Sequence, residues 1–146
     1  MVPLPSESKT PAPTRWNRPK LFALVATGGA IGSLLRYGVF QLFPTHYSFV
    51  GTMSVNIIGS FVLGYLVSAI ATSIHNASKA QQIRALVGTG ICGGFTTYST
   101  FMLDLPFLFL MGAFSLPWFV IATGYLFGTF ILGAGAAIFG MHLGAR

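Results

Sequence analysis

Gly90-Ile91-Cys92-Gly93-Gly94-Phe95-Thr96-Thr97-Tyr98-Ser99-Thr100-Phe101 lies inside a run apolar enough to cross a membrane, yet it works against the helix that such a run requires. Gly90, Gly93 and Gly94 each weaken a helix by about 1 kcal/mol relative to alanine. In hydrocarbon, every backbone group freed by a break costs several kcal/mol unless something satisfies it again, so breaks survive only where protein, water or an ion covers them. The stretch is therefore expected to be a broken transmembrane helix and a functional site.

Composition extends this outward. Of 146 residues, 53% are hydrophobic and 7% charged, with a mean hydropathy of +0.74; a soluble domain of this size could not hide such a surface. Val50 to Ala77 and Ala85 to Leu103 carry no charge with histidine neutral, and about 20 residues suffice for a helical span. Leu21 to Phe43 is apolar except for Arg36, and Leu105 to Leu143 divides near Gly112 and Pro117. The expected fold class is an all-α integral membrane protein with four transmembrane helices, near 21–43, 50–74, 83–111 and 117–142, the third of them broken. Short connections predict antiparallel neighbours.

Residues 1–20 hold five prolines and the basic residues Lys9, Arg15, Arg18 and Lys20. They predict a disordered tail with an interfacial anchor at Trp16, ahead of a membrane domain over 21–146. Leu21 onward does not resemble a cleavable signal, because its apolar part is too long and lacks a small-residue cleavage site. The tail, the second loop (Lys79, Arg84) and Arg146 gather the basic residues on one side, while only Arg36 leans to the other; the positive-inside rule then places both termini in the cytoplasm. The net charge of +6 fits anionic lipid and topology, not nucleic acid. Cys92 is the single cysteine and His46, His75 and His142 lie apart, which argues against a disulfide or a metal cluster of these side chains.

The polar residues inside the spans form stripes. Thr52, Asn56 and Ser60 recur every four residues and share one helical face. That face serves either as hydrogen-bonding glue between helices or, since the Asn56 amide offers two N–H donors and no carboxylate joins it, as a lining for an anion. Tyr98 and Phe101, three apart, share a face if the helix resumes there, and aromatic ring edges carry positive potential. Carbonyls freed at the break offer a cation site. Tyr125, Thr129 and Gly133 form a weaker stripe, while Gly28 and Gly32 make a smooth strip for close helix packing. Arg36 either snorkels to the interface or faces a polar vestibule.

Together, Gly28-Gly29-x-x-Gly32-x-x-x-Arg36-Tyr37, Gly51-Thr52-x-x-x-Asn56-x-x-Gly59-Ser60 and Gly93-Gly94-Phe95-Thr96-Thr97-Tyr98-Ser99-Thr100-Phe101 resemble the CrcB/Fluc family of fluoride channels. The resemblance covers nearly everything after residue 20. It implies a passive fluoride exporter of the cell membrane, not an enzyme: two four-helix subunits, inserted antiparallel, enclosing two pores and a central structural sodium ion. By matching positions it implies Asn56 as the pore asparagine and Tyr98 and Phe101 as the ring-edge pair, with Tyr98 standing where the family has phenylalanine. Ser99, Thr100, Thr52 and Ser60 join the polar lining. Tyr125 and Thr129 match a track on the fourth helix, where Gly133 replaces a frequent hydroxyl. Arg36 matches the vestibule arginine, and the backbone carbonyls of Gly93 and Thr96 match the sodium ligands. The implied partners are fluoride, membrane lipid and a second copy of the chain.

Two rival classes stand beside this reading. A small proton-coupled exporter needs a carboxylate within the membrane as a relay, for which Asp104 is the one candidate. A non-transporting scaffold would need only the glycine strips, and it leaves the break and the aligned donors unexplained.

Overall fold

The structure, a computed structural model, describes residues 18–44, 47–112 and 115–146. The expected disordered tail and the Trp16 anchor lie outside the described residues up to position 17. Arg18 to Lys20, assigned to that tail, instead form the first turn of helix α1 (Arg18–Phe40), where Pro19 needs no N–H partner. This helix stops three residues short of the expected Phe43. Its last carbonyls bend into the tight turns Leu42 N to Val39 O (3.0 Å) and Phe43 N to Phe40 O (3.2 Å), and Pro44 follows.

α2 (Ser48–Ser73) and α6 (Leu116–Gly144) match their expected spans within two residues at each end. α1, α2 and α6 are each long and apolar enough to cross a membrane. The third apolar region is built differently. The segment read as the second loop is helical: α3 (Ala77–Ile83) starts at Asn76, whose side chain accepts the Lys79 N–H at 3.0 Å, a standard N-terminal cap. It runs on as a π-helical stretch, Arg84–Cys92, and one further turn, α4 (Gly93–Phe95). The chain then leaves the helix at Thr96–Tyr98 and resumes as α5 (Ser99–Gly112).

The glycines do not break the helix. They lie within it and widen it, and the break comes just after them. Packing offsets their poor propensity. A Cβ at Gly28 would be driven into the Leu86 carbonyl and one at Gly32 into the Ile91 carbonyl, while one at Gly94 would strike Gly29 O. The α1 backbone thus lies directly on the π-helical stretch and α4, at a distance that only glycine permits.

A second such contact joins α2 and α6, the most extensively packed pair in the fold. Here Gly64 faces Ala137, Gly140 faces Phe61 and Tyr65, and Gly144 faces Tyr65 and Ala69. Residue numbers rise together along both close pairs, so α1 runs parallel to the first half of the broken helix and α2 parallel to α6. This agrees with sequence neighbours running antiparallel. A small buried cluster of Phe101, Leu108, Ala122 and Tyr125 ties α5 to α6. Much of the remaining apolar surface faces outward: Phe22 is 77% exposed and Leu34 71%, as lipid-facing or partner-facing residues are in a single chain.

Candidate functional site

A helix break leaves backbone groups without partners, and at membrane depth each must be accounted for. On the upstream side, Cys92 O accepts both Thr96 N and Thr96 Oγ1 at 2.9 Å. Thr96 itself turns extended, with φ −76° and ψ 161°, and its carbonyl accepts Arg36 Nη1 at 3.0 Å. The next residue, Thr97, is held twice by Asn56: Nδ2 donates to Thr97 O at 3.0 Å, and Thr97 N donates to Oδ1 at 2.9 Å. Thr97, 5% exposed, then caps α5, its Oγ1 accepting Thr100 N at 3.2 Å. Two side chains from two other helices therefore replace the lost helical bonds.

Asn56 spends one amide hydrogen and its carbonyl oxygen on Thr97, leaving a second N–H that no described residue accepts. It lines an open groove of about 230 Å³ together with Thr96, Thr97, Tyr98, Phe101, Thr129 and Phe130. The Tyr98 and Phe101 rings lie 6.4 Å apart at 31°, so the expected pair does share a face. Its members differ in setting: Phe101 is 3% exposed, packed against Tyr125 at 5.1 Å and edge-on to Phe130 at 5.7 Å, whereas Tyr98 stands open to the outside of the chain. No carboxylate or cation lines this groove. A second groove, about 260 Å³, shares Asn56 and Thr96 with the first and adds Ser60, Gly59, Leu63, Gly88, Cys92 and Gly93. The two abut at Asn56.

Other expected site residues go elsewhere. Thr52, fully buried, donates from Oγ1 to Asp104 Oδ2 at 2.7 Å, and the Tyr125 hydroxyl reaches the same oxygen at 3.2 Å, with Ser48 Oγ on Oδ1 at 3.3 Å. These three hydroxyls hold a carboxylate. A hydroxyl has one hydrogen, so while Thr52 and Tyr125 serve Asp104 they cannot also donate to an anion. Thr129 lines the first groove with its hydrogen directed to its own helix, at Tyr125 O (2.6 Å). Thr100 lies with Ser33, Arg36, Tyr37 and Phe40 around a third, wider hollow. Ser99 is exposed beside Thr97 Oγ1 at 3.4 Å. Gly93 faces open space, and a Cβ there would meet nothing within 4 Å. At Gly133, a Cβ would come 3.6 Å from Ser60 Oγ. Among the described residues no His, Cys, Asp or Glu cluster could hold a metal ion.

Sequence reasoning missed three contributors. Thr97 is the residue the break turns on, and a threonine just ahead of a resuming helix is a legible capping residue. Phe130 reaches the groove with no distinguishing signal among so many aromatics. Asp104 reads from sequence as a candidate proton relay, although a lone acid amid hydroxyl-bearing helices signals a hydrogen-bonded carboxylate.

Comparison with known proteins fits this geometry. The family model for CrcB-like protein, Camphor Resistance (CrcB), matches residues 23–141. The chain is 43% identical to the fluoride-specific ion channel FluC of Agrobacterium fabrum over 125 residues, covering 84% of this chain and 94% of that protein. It is 39% identical to the FluC of Thermosipho melanesiensis over 127 residues, with the same coverage. The FluC of Rhizobium leguminosarum bv. trifolii matches at 48% over 97 residues, 61% of this chain and 71% of that protein.

Proposed function

This chain belongs to the CrcB-like family, and from that premise we propose that it is a fluoride-specific ion channel, a multi-pass membrane protein that lets fluoride leave the cell down its gradient. The observation that carries the reading is the first groove, where the spare Asn56 N–H and the Tyr98 and Phe101 rings meet beside the broken helix without a fixed charge. Fluoride is small and strongly hydrated, so a path for it must replace its water with close donors. An amide N–H and ring edges do this weakly enough to release the ion, and sites in series favour conduction over trapping. Bulkier chloride would fit neither the bore nor the ring spacing.

The grooves are open along one side, so one chain does not close a pore around them. A homodimer supplies the missing wall, and an antiparallel pair gives two equivalent pores with the break of each chain near the centre. Glycines with nothing within 4 Å of a Cβ, Gly93, Gly124 and Gly135 among them, offer room for a second backbone. Beside α1, α2 and α6, the remaining span is the broken one, α3 through α5, third in chain order. For the central sodium ion, Gly93 and Thr96 supply carbonyls of the type that broken membrane helices use; two from one chain are too few, and a second copy doubles them. One lone pair of Thr96 O already serves Arg36, which leaves the other for an ion. When bound, that ion supplies positive charge that offsets the repulsion of an entering anion.

The deciding experiment is efflux from KF-loaded liposomes reconstituted at low density, read with a fluoride electrode after valinomycin, beside KCl-loaded liposomes read for chloride. Fluoride release without chloride release, and without any need for a proton gradient, is expected. No fluoride release from folded protein, or release only with a proton gradient, would overturn the reading. Full flux from a protein that stays monomeric would remove the dimer.

A further inference from the structure

Arg36 is a cation near the end of α1, and no described carboxylate pairs with it: Asp104 is held by Ser48, Thr52 and Tyr125. Its guanidinium donates instead to a backbone oxygen, Thr96 O, at 3.0 Å. Thr96 is where the first half of the broken helix ends, and a helix ends with carbonyls that carry partial negative charge. That negative end stands beside the groove read above as an anion path, since Thr96 lines it.

We propose that Arg36 is a positioning residue of the channel: its guanidinium caps the half-helix at Thr96 O, cancels the negative helix end next to the anion path, and so holds by its carbonyl the same Thr96–Thr97 peptide that Asn56 holds by its N–H. The proposal rests on the fluoride-channel reading and goes beyond both roles open to Arg36 from sequence, lipid anchoring and ion attraction.

The geometry that delivers Arg36 to the break is written into α1. Gly28, Gly32 and Arg36 lie on one face at four-residue spacing. The two glycines bring α1 into backbone contact with Leu86, Gly90 and Ile91. Because α1 and the first half of the broken helix run parallel, one turn beyond Gly32 is the level of Thr96. The glycine strip thereby sets the reach of the guanidinium. From the other side, Asn56 bonds both the N–H and the C=O of Thr97. The Thr96–Thr97 peptide is thus pinned from both sides, its carbonyl by Arg36 of α1 and its N–H by Asn56 of α2, and Asn56 also holds the carbonyl of the peptide after it. Loss of the Arg36 bond leaves the Thr96–Thr97 peptide held by its N–H alone, so it tilts about Thr96 ψ, strains the Asn56 clasp and swings the Tyr98 ring from Phe101.

Thr96-Thr97 is the only Thr-Thr pair in the sequence. Protein labelled with carbonyl-¹³C and ¹⁵N threonine therefore gives one ¹³C–¹⁵N correlation, from the Thr96 carbonyl and the Thr97 nitrogen. This signal would be recorded in lipid for the wild type and for Arg36→Lys and Arg36→Gln, each first shown to elute and fold as the wild type does, alongside fluoride efflux at low and high ionic strength. Expected is a Thr96–Thr97 signal displaced in Arg36→Gln and largely restored in Arg36→Lys, with flux lower by about tenfold in Arg36→Gln at both ionic strengths, the loss a charged helix-end cap gives. An unmoved signal in Arg36→Gln with flux reduced only at low ionic strength would make Arg36 an ion-attracting charge and overturn the proposal. An unmoved signal with unchanged flux would make it a lipid anchor and overturn it equally. A wild type that passes no fluoride would sink the channel reading; the carbonyl signal would then still decide whether Arg36 caps the break.

Discussion

Replacing Asn56 by leucine keeps the branched shape of the side chain and removes both hydrogen bonds to the Thr97 backbone, at 3.0 and 2.9 Å. The Thr97 N–H and C=O are then left at membrane depth, at about 1–3 kcal/mol each. Together that is about 2–6 kcal/mol, several times the roughly 0.6 kcal/mol of an average interhelical bond in a membrane. The chain can recover part of it by letting the break rotate toward a helix or by admitting water, and either movement carries Tyr98 away from Phe101. Fluoride efflux from liposomes is therefore expected to fall by more than about tenfold, since 1.4 kcal/mol already corresponds to that factor. Chemical or thermal unfolding in detergent should report a loss of stability toward the lower end of the same range. Asn56→Asp separates the two roles: it keeps an acceptor for Thr97 N, removes the donor to Thr97 O, and puts a negative charge on the path, so flux should vanish with a smaller loss of stability. Wild-type flux in Asn56→Leu would refute the reasoning, because neither the break nor the anion path could then depend on this amide.

Phe101→Ile deletes a ring packed at 5.1 Å on Tyr125 and 5.7 Å on Phe130; fluoride flux should be lost while circular dichroism stays helical, and unchanged flux would remove the ring pair from the path. Asp104→Asn keeps one carbonyl oxygen for Thr52, Tyr125 and Ser48, so stability should drop by about 1–3 kcal/mol as a hydroxyl loses its acceptor, with the remaining flux still indifferent to a proton gradient. Gly32→Ala drives a Cβ into the Ile91 carbonyl and should destabilise by about 1–3 kcal/mol, as overpacking does. Gly124→Ala, which meets nothing within 4 Å in the chain, should be neutral in a single chain, and a broken dimer on size-exclusion chromatography would locate the partner surface there.

The positions of the spans, the presence of a break and the residue types around it were legible from the sequence, because each is a local or periodic property. Twenty apolar residues must be helical in hydrocarbon whatever surrounds them, and hydroxyls clustered beside glycines mark a weak helix wherever it packs. The partners of those polar groups were not legible. Thr52 and Asn56 share one face at four-residue spacing, yet Thr52 turns to Asp104 on α5 while Asn56 takes the Thr97 peptide. Periodicity gives a side chain's direction from its own axis and says nothing of what stands opposite.

The sequence alone determined that this is a multi-pass helical membrane protein with an interrupted third span, since hydrophobicity and intrinsic helix propensity act residue by residue. Tertiary structure decided where the interruption falls and what holds it. The glycines were the weakest helix formers, but α1 lies against their backbone and keeps them helical, so the chain opens one step later, at Thr96–Tyr98, where Arg36 and Asn56 from different helices can satisfy the freed peptides. In hydrocarbon a break forms where partners exist to receive its hydrogen bonds, and only the packing of the helices puts those partners in reach.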